Sequence, residues 1–523
     1  MSLRTLARPV LEASATLRLA MLVLLLSLPA AAEPFTQNSG LDQRMIAEVT
    51  GTALAFMSPR ILQPERQATL VIWGLRGLAT IDPKLATDLS ETELRLSLQG
   101  KPLASEKLPA EGDAAGWGRA IAALARAAWD SSEPVRRVGT TGVISNFFDE
   151  LFNHLDPYSR YATPEEAAQE LARRNGRAGV GIEMARQGTG FVLRSVAPGS
   201  PAAKAGVKPG ERLLAIDDLP LDDADLAAIN ALLAGPEDSI VTLTLKSPGA
   251  AARPARSLDL RRTVLTPPTV FASRQGKLLL IQVTGFARNT AERMGAEIVH
   301  GLAGPRPPEG IVIDLRGNRG GLLRQAVAAA ELLQPTGRIA ASIGRDPQAR
   351  HDYEAEGTDL AHGLPVALLV DGRTASAAEV LAAALSDQRR AVVIGSSTFG
   401  KGLVQTILPL PDGGALSLTW SRVVSPLGWP LQALGVMPSI CTSLGEQSLR
   451  ASLAELAQGR QPMTRPLTRH TEARAPLPAP EILEIRNYCP ASEGRDTDLL
   501  AAKFIIDTPK AYATALLNVP IAP

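Results

Sequence analysis

The sequence predicts a multidomain α/β protein. It has a mainly helical N-terminal region, a small β domain, an α/β core on parallel strands and a C-terminal extension. Three observations carry this expectation. At 523 residues the chain has room for three or four domains of ~100 to 200 residues each. Its 45% hydrophobic content excludes a wholly disordered protein. The apolar pattern changes along the chain: helical spacing comes first, then short alternating runs broken by Gly and Pro, then a strand-helix-strand order.

Charge and composition narrow the function. Lys and Arg number 54 against 53 Asp and Glu, and aromatics make up 4%, so there is neither a basic surface nor a set of stacking platforms for nucleic acid. The first 32 residues read as an export signal. Arg4, Arg8 and Arg18 precede an apolar run from Leu19 to Leu28, and Ala30-Ala31-Ala32 supplies a small-residue cleavage site. The run is shorter than the ~20 residues that span a bilayer. An exported protein, periplasmic or otherwise extracytoplasmic and soluble after cleavage, is therefore expected. Cys441 and Cys489 are the two cysteines, an even count in a chain bound for an oxidising compartment. A disulfide between them would close a long loop and contribute ~3 to 4 kcal/mol by the chain-entropy account. No cysteine has a His beside it, and the five His are scattered, so neither a metal nor another cofactor is expected.

Residues 33–177 read as mainly helical, with apolar residues at 3.6 spacing in GWGRAIAALARAAW and VISNFFDELFNHL. The exception is ELRLSLQGKPL, where Leu94, Leu96 and Leu98 alternate before a Gly100 turn, as in a hairpin. In TPEEAAQELARR, Thr163 caps a helix that starts at Pro164.

Residues 178–265 change to short strands and Gly/Pro turns: GVGIEM, GFVLRSV, PGSPAAKAGVKPGERLLAIDDLPL and SIVTLTLK. The run from Gly199 to Asp217 resembles the helix, turn and strand of a PDZ domain, and Gly179, Val180, Gly181 and Ile182 stand where that family binds a peptide carboxylate. The resemblance implies capture of an unstructured C-terminus. A glycine-rich turn can aim several N–H groups at a carboxylate while a strand edge pairs with the peptide.

Residues 266–440 alternate strand and helix. EGIVIDL leads through GNRGG into LLRQAVAAAELL, PVALLVD through GRTA into SAAEVLAAALSDQ, and RAVVIG into SSTFGKG. In open parallel sheets ligands gather at the carboxyl ends of strands, so Gly320, Ser376 and Lys401 can converge. The extension, 441–523, is proline-rich in its middle and ends in a helical pattern, with no function legible in it.

The chemistry rests on Ser376 and Lys401. A serine hydroxyl becomes a nucleophile when a base takes its proton, and a lysine neutralised by burial serves as that base. Arg cannot do so. From Leu278 to Ala502 there are twenty Arg and one Lys, Lys401. Ser376-Ala-Ala-Glu379 is a capping box, and a serine at that helix start also benefits from the helix dipole. The amide of Ala377, with a second from the GNRGG turn, can face a developing oxyanion.

Taken together, DLRGNRGGLL, TASAAE and TFGKGLVQT resemble the carboxyl-terminal processing (tail-specific) proteases, family S41. NFFDELFNHLDPYSRYATPEE, LLLIQVTGF and GWPLQALGVMP extend the resemblance over roughly residues 136 to 440. It implies a ClpP/crotonase-like core, with Ser376 as nucleophile, Lys401 as general base and Gln405 positioning the lysine. It also implies backbone oxyanion donors at Ala377 and Gly320, with Gly321 the adjacent alternative. Gly317 and Arg319 stand where the family's oxyanion turn has Asn and Pro. Ala378 stands where serine is common, and the usual Gly-Tyr before LLIQV is missing. The implied activity is serine endopeptidase cleavage near unstructured apolar C-termini. The implied partners are protein or peptide substrates with exposed C-termini, an adaptor or activator, and a second copy of the chain, with the PDZ gating the site.

GSSTFGKG approaches a P-loop but has Gly402 where the magnesium-holding Ser/Thr belongs, and β-like sequence follows it. A catalytically degenerate periplasmic scaffold that binds C-termini through its PDZ domain is another reading. The intact Ser376, Lys401 and Gln405 argue against it. A Ser-His-Asp hydrolase lacks its G-x-S-x-G turn.

Overall fold

The computed structural model describes residues 40–516, except 176–177, 189, 222–224, 249–253 and 266–267. The expected export signal lies outside the described residues. No helix among the described residues is long and apolar enough to cross a membrane.

The N-terminal region pairs the helices Gln43–Met57 and Ala114–Ser131, and the helix Glu133–Asn153 joins them. The hairpin Glu93–Leu98 to Lys101–Lys107 forms with Leu94 and Leu96 turned inward. A third strand, Leu85–Leu89, extends it; its LATDL sequence carries too little apolar alternation to be read in advance.

The next unit is a sheet of short antiparallel strands around a core of Val180, Phe191, Leu213, Ile216, Ile229, Val241 and Leu243. Ser200 caps the helix Pro201–Lys204, accepting from the Ala203 amide at 3.2 Å. The strand Ile182–Gln187 lies at the edge of this sheet, bonded only to Gly190–Val196, and the helix Leu226–Leu233 packs against it. Ala178–Gly179 pairs antiparallel with Thr263–Val264, so the chain enters and leaves this unit side by side.

The core is a six-stranded sheet. Its order is Val270–Gln275, Leu278–Val283, Gly310–Asp314, Val366–Val370, Val392–Gly395 and Ile440–Cys441, parallel except at the first strand. Gly310–Asp314 and Val366–Val370 are buried at every position, as near-continuous apolar runs require when both faces are covered. One face packs on the helices Thr290–Leu302, Leu323–Glu331 and Ala377–Asp387. The extension covers the other. Leu449, Leu456, Ala501, Ala502, Ile505, Ala511 and Ala515, from its helices Glu446–Gln458, Asp496–Asp507 and Pro509–Leu516, pack on Val312, Ala367, Leu369, Val392 and Ile394. Cys441 and Cys489 are disulfide-bonded, which ties the last core strand to the 487–495 segment of the extension, on the side of the core's own helices.

His470 of the extension is buried against Trp429, and its Nε2 donates to the Gly435 carbonyl at 2.8 Å. Burial pushes its pKa down to about 4. Between the ordinary histidine value of 6.5 and about 4, the unfolded chain takes up a proton that the folded one refuses. Stability therefore falls as pH drops through that window. Relative to His470→Gln, the wild type should lose on the order of 3 kcal/mol between pH 7 and pH 4, read from urea unfolding at each pH. A constant difference would show that His470 protonates freely in the fold.

Candidate active site

Three loops leave the carboxyl ends of three adjacent strands. Gly310–Asp314 runs into the turn at 315–322, Val366–Val370 into the turn at 371–376, and Val392–Gly395 into the loop at 396–401, with the Ser376 strand in the middle.

Ser376 opens the helix Ala377–Asp387 at φ 57° and ψ −120°. A non-glycine residue in this region costs ~1 to 3 kcal/mol and persists where its surroundings over-determine it. Here they do. Asp371, almost fully buried, accepts from the amides of Gly317 (2.9 Å), Arg373 (3.0 Å) and Thr374 (3.0 Å). Thr374 Oγ1 donates to the Leu315 carbonyl (2.9 Å), and the Ala375 amide donates to that of Asn318 (2.9 Å). The 315–322 turn lies so close that a Cβ on Gly320 would stand 2.8 Å from the Ala375 oxygen and 2.9 Å from Ser376 Cβ. Glycine is required there by contact as well as by its positive φ.

Glu379 does more than complete the capping box. Its carboxylate has no exposed surface; Oε2 accepts from the amides of Ser376 (2.7 Å) and Lys401 (2.9 Å), and Oε1 from the Gly400 amide (2.6 Å) and Thr398 Oγ1. One oxygen thus holds the backbones of both candidate dyad residues. Burial pushes the Glu379 pKa up, and the four donors oppose that shift. Sequence reasoning took Glu379 only as a helix cap; a buried carboxylate in an apolar helix was the available signal.

The Lys401 loop is braced from two further sides. The Gly402 amide donates to Gln432 Oε1 (3.0 Å) and the Ala433 amide to the Gly400 carbonyl (2.8 Å), both from the GWPLQALGVMP segment. From the extension, Arg486 donates to the carbonyls of Thr398 (2.9 Å) and Leu434 (2.7 Å). Ser492 exchanges hydrogen bonds with Ser396 Oγ (both 3.0 Å) and accepts from the Gly372 amide (2.8 Å). Residues 486–494 therefore touch both the nucleophile turn and the base loop.

The fold brings the dyad segments together but does not join their functional atoms. Among the described residues no hydrogen bond links Ser376 Oγ with Lys401 Nζ, or Lys401 with Gln405. Lys401 Nζ lies over the Tyr158 ring, 4.9 Å from its centroid, and Gln405 Nε2 donates to Thr419 Oγ1 at 3.1 Å.

The Gly320 amide, expected to be a donor, is engaged: it donates to Asn318 Oδ1 at 2.8 Å. Asn318 is wholly buried, and its Nδ2 donates to the Val283 carbonyl at 2.8 Å, so its oxygen takes the nearest amide as partner. The amides of Ala377 and Gly321 make no hydrogen bond among the described residues.

In the edge-strand unit, Gly179 is taken up in the two-residue ladder with Thr263. Val180 is buried, Gly181 has φ 83° with Ser200 packed against it, and Ile182 begins the open edge strand. No group of three or more His, Cys, Asp or Glu able to hold a metal occurs among the described residues.

Comparison with known proteins agrees with this architecture. The profile of peptidase family S41 matches residues 277–442, and that of a PDZ domain matches 192–247. A carboxy-terminal-processing protease of Bartonella bacilliformis is 31% identical over 329 residues, 60% of this chain and 75% of that protein. A carboxyl-terminal-processing protease of Synechocystis is 32% identical over 297 residues, 55% of this chain and 69% of that one. The solved photosystem II D1 C-terminal processing protease is 29% identical, covering 59% of this chain and 86% of its own, with a TM-score of 0.34. The chain belongs to peptidase family S41, the carboxyl-terminal-processing proteases, which are serine peptidases.

Proposed function

We propose that this protein is an exported endopeptidase that cleaves other proteins near unstructured, apolar C-termini, with Ser376 as nucleophile, Lys401 as general base and Gln405 positioning the lysine. The observation that carries the reading is the strained Ser376 at a strand-to-helix turn, held to the Lys401 backbone through the buried Glu379.

Ser376 Oγ attacks the scissile carbonyl as neutral Lys401 takes the hydroxyl proton. The oxyanion is received by the amides of Ala377 and Gly321. Collapse of the tetrahedral intermediate breaks the C–N bond, and Lys401 returns the proton to the leaving amine. Water, deprotonated by the same lysine, then cleaves the acyl-enzyme. In this reading Lys401 turns from the Tyr158 ring toward Ser376 and Gln405 positions it. The PDZ domain takes the substrate tail. The peptide adds to the open edge Ile182–Gln187, its carboxylate lies at Val180 to Ile182, and its apolar side chains lie toward the helix Leu226–Leu233.

The test compares the protein with its Ser376→Ala variant on an unfolded substrate ending in small apolar residues, with a charged-tail control, and reads products by mass spectrometry. Cleavage by the wild type alone, lost with the charged tail, is expected. A folded wild type that binds the tail and cuts nothing would favour the non-catalytic scaffold.

A further inference from the structure

We propose that the Asp156–Ser159 turn of the N-terminal region is a positioning element of the protease site, in which the face of Tyr158 fixes where the Lys401 side chain rests. The proposal deepens the reading above and rests on Lys401 being the base.

Lys401 Nζ stands 4.9 Å from the Tyr158 ring centroid. An ammonium over an aromatic face is drawn by the ring quadrupole, whereas a neutral amine gains almost nothing from it. The contact therefore fixes the Lys401 side chain over the ring. The Tyr158 hydroxyl makes no hydrogen bond among the described residues, so the face and not the phenol is what the site uses.

The ring is rigidly mounted. Asp156 Oδ1 accepts from the amides of Tyr158 (2.9 Å) and Ser159 (3.0 Å), and Oδ2 accepts from Ser159 Oγ. The same turn reaches the other site strand. Thr419 Oγ1 donates to Asp156 Oδ1 (2.7 Å), the Thr419 amide donates to Ser159 Oγ (2.9 Å), and Thr419 Oγ1 accepts from Gln405 Nε2. A single turn thus fixes the resting place of the lysine and the present orientation of the glutamine. The charged groups on the surrounding elements are Asp156 in this turn and Glu379, which accepts the Lys401 amide. Arg422 lies opposite Leu403 in the strand ladder, and Arg486 lies on the Thr398 carbonyl.

The test uses the full chain and its Tyr158→Leu and Tyr158→Phe variants with two readouts against pH: kcat/KM on an unfolded substrate, and the rate of Lys401 acetylation by acetic anhydride, followed on the Lys401 peptide by mass spectrometry. Acetylation reports the neutral amine whether or not that amine catalyses. In Tyr158→Leu both pH profiles should change, kcat/KM falling roughly tenfold as the lysine loses its fixed place, while Tyr158→Phe keeps the wild-type profiles. Tyr158→Met, also without a ring, is read the same way should the leucine variant not fold. An acetylation profile unchanged on loss of the ring, or one that shifts equally in Tyr158→Phe, overturns the proposal. A shifted acetylation profile with an unshifted activity profile upholds the contact and overturns Lys401 as base.

Discussion

Lys401→Arg is expected to lose at least a thousandfold in kcat/KM while remaining folded. Arg keeps the positive charge and the long stem, yet its guanidinium stays protonated at any working pH, so the Ser376 proton has no acceptor. The fold should tolerate the change because Lys401 contributes to the site's architecture through its backbone: it is the Lys401 amide, not the ammonium, that Glu379 accepts. Cleavage assayed by mass spectrometry beside a thermal melt separates the two effects. Turnover near wild type in a folded Lys401→Arg protein would remove Lys401 from the mechanism.

Glu379→Gln is expected to lower kcat about a hundredfold with KM little changed. The carboxylate offers two oxygens to four donors; the amide offers one oxygen and turns an NH2 toward donors that the second oxygen now satisfies. Each buried donor left unpaired costs ~1 to 3 kcal/mol, and relaxation would release the Ser376 turn from the Lys401 loop. Small displacements of a nucleophile from its base cost about this much in rate. Glu379 makes no hydrogen bond to the edge-strand unit among the described residues, which is why binding should survive. The same carboxylate sets a pH limit. The ionised form is the one that accepts four hydrogen bonds, and burial raises its pKa. Activity should therefore begin to fail, as pH drops, at a higher pH than an exposed glutamate would set. Steady-state kcat and KM across pH, together with unfolding midpoints, test both statements. An equal loss in kcat and in folded fraction would make Glu379 structural only.

Local pattern made much of this legible. The three strand-to-helix turns are bounded by apolar runs and glycines, so their convergence at strand ends followed from the parallel order. Two things were hidden. Hydrogen bonding of individual amides, such as that of Gly320 with Asn318, depends on side-chain rotation that no spacing encodes. The place of residues 441–516 depends on tertiary pairing. Yet one clue was available: strands as uniformly apolar as GIVID and VALLV need cover on both faces, and the core's own helices cover only one. The tail had to supply the rest. Tyr158 lay within a recognised motif, but its partner stands far along the chain.

The position of that second helical layer governs how the enzyme comes into being. During synthesis Ser376 and Lys401 emerge first, on a sheet whose far face is still bare of Ala501, Ile505 and Ala511. Arg486 and Ser492, which grip the base loop and the nucleophile turn, follow only afterwards. The bracing of both loops is thus completed late in the polypeptide.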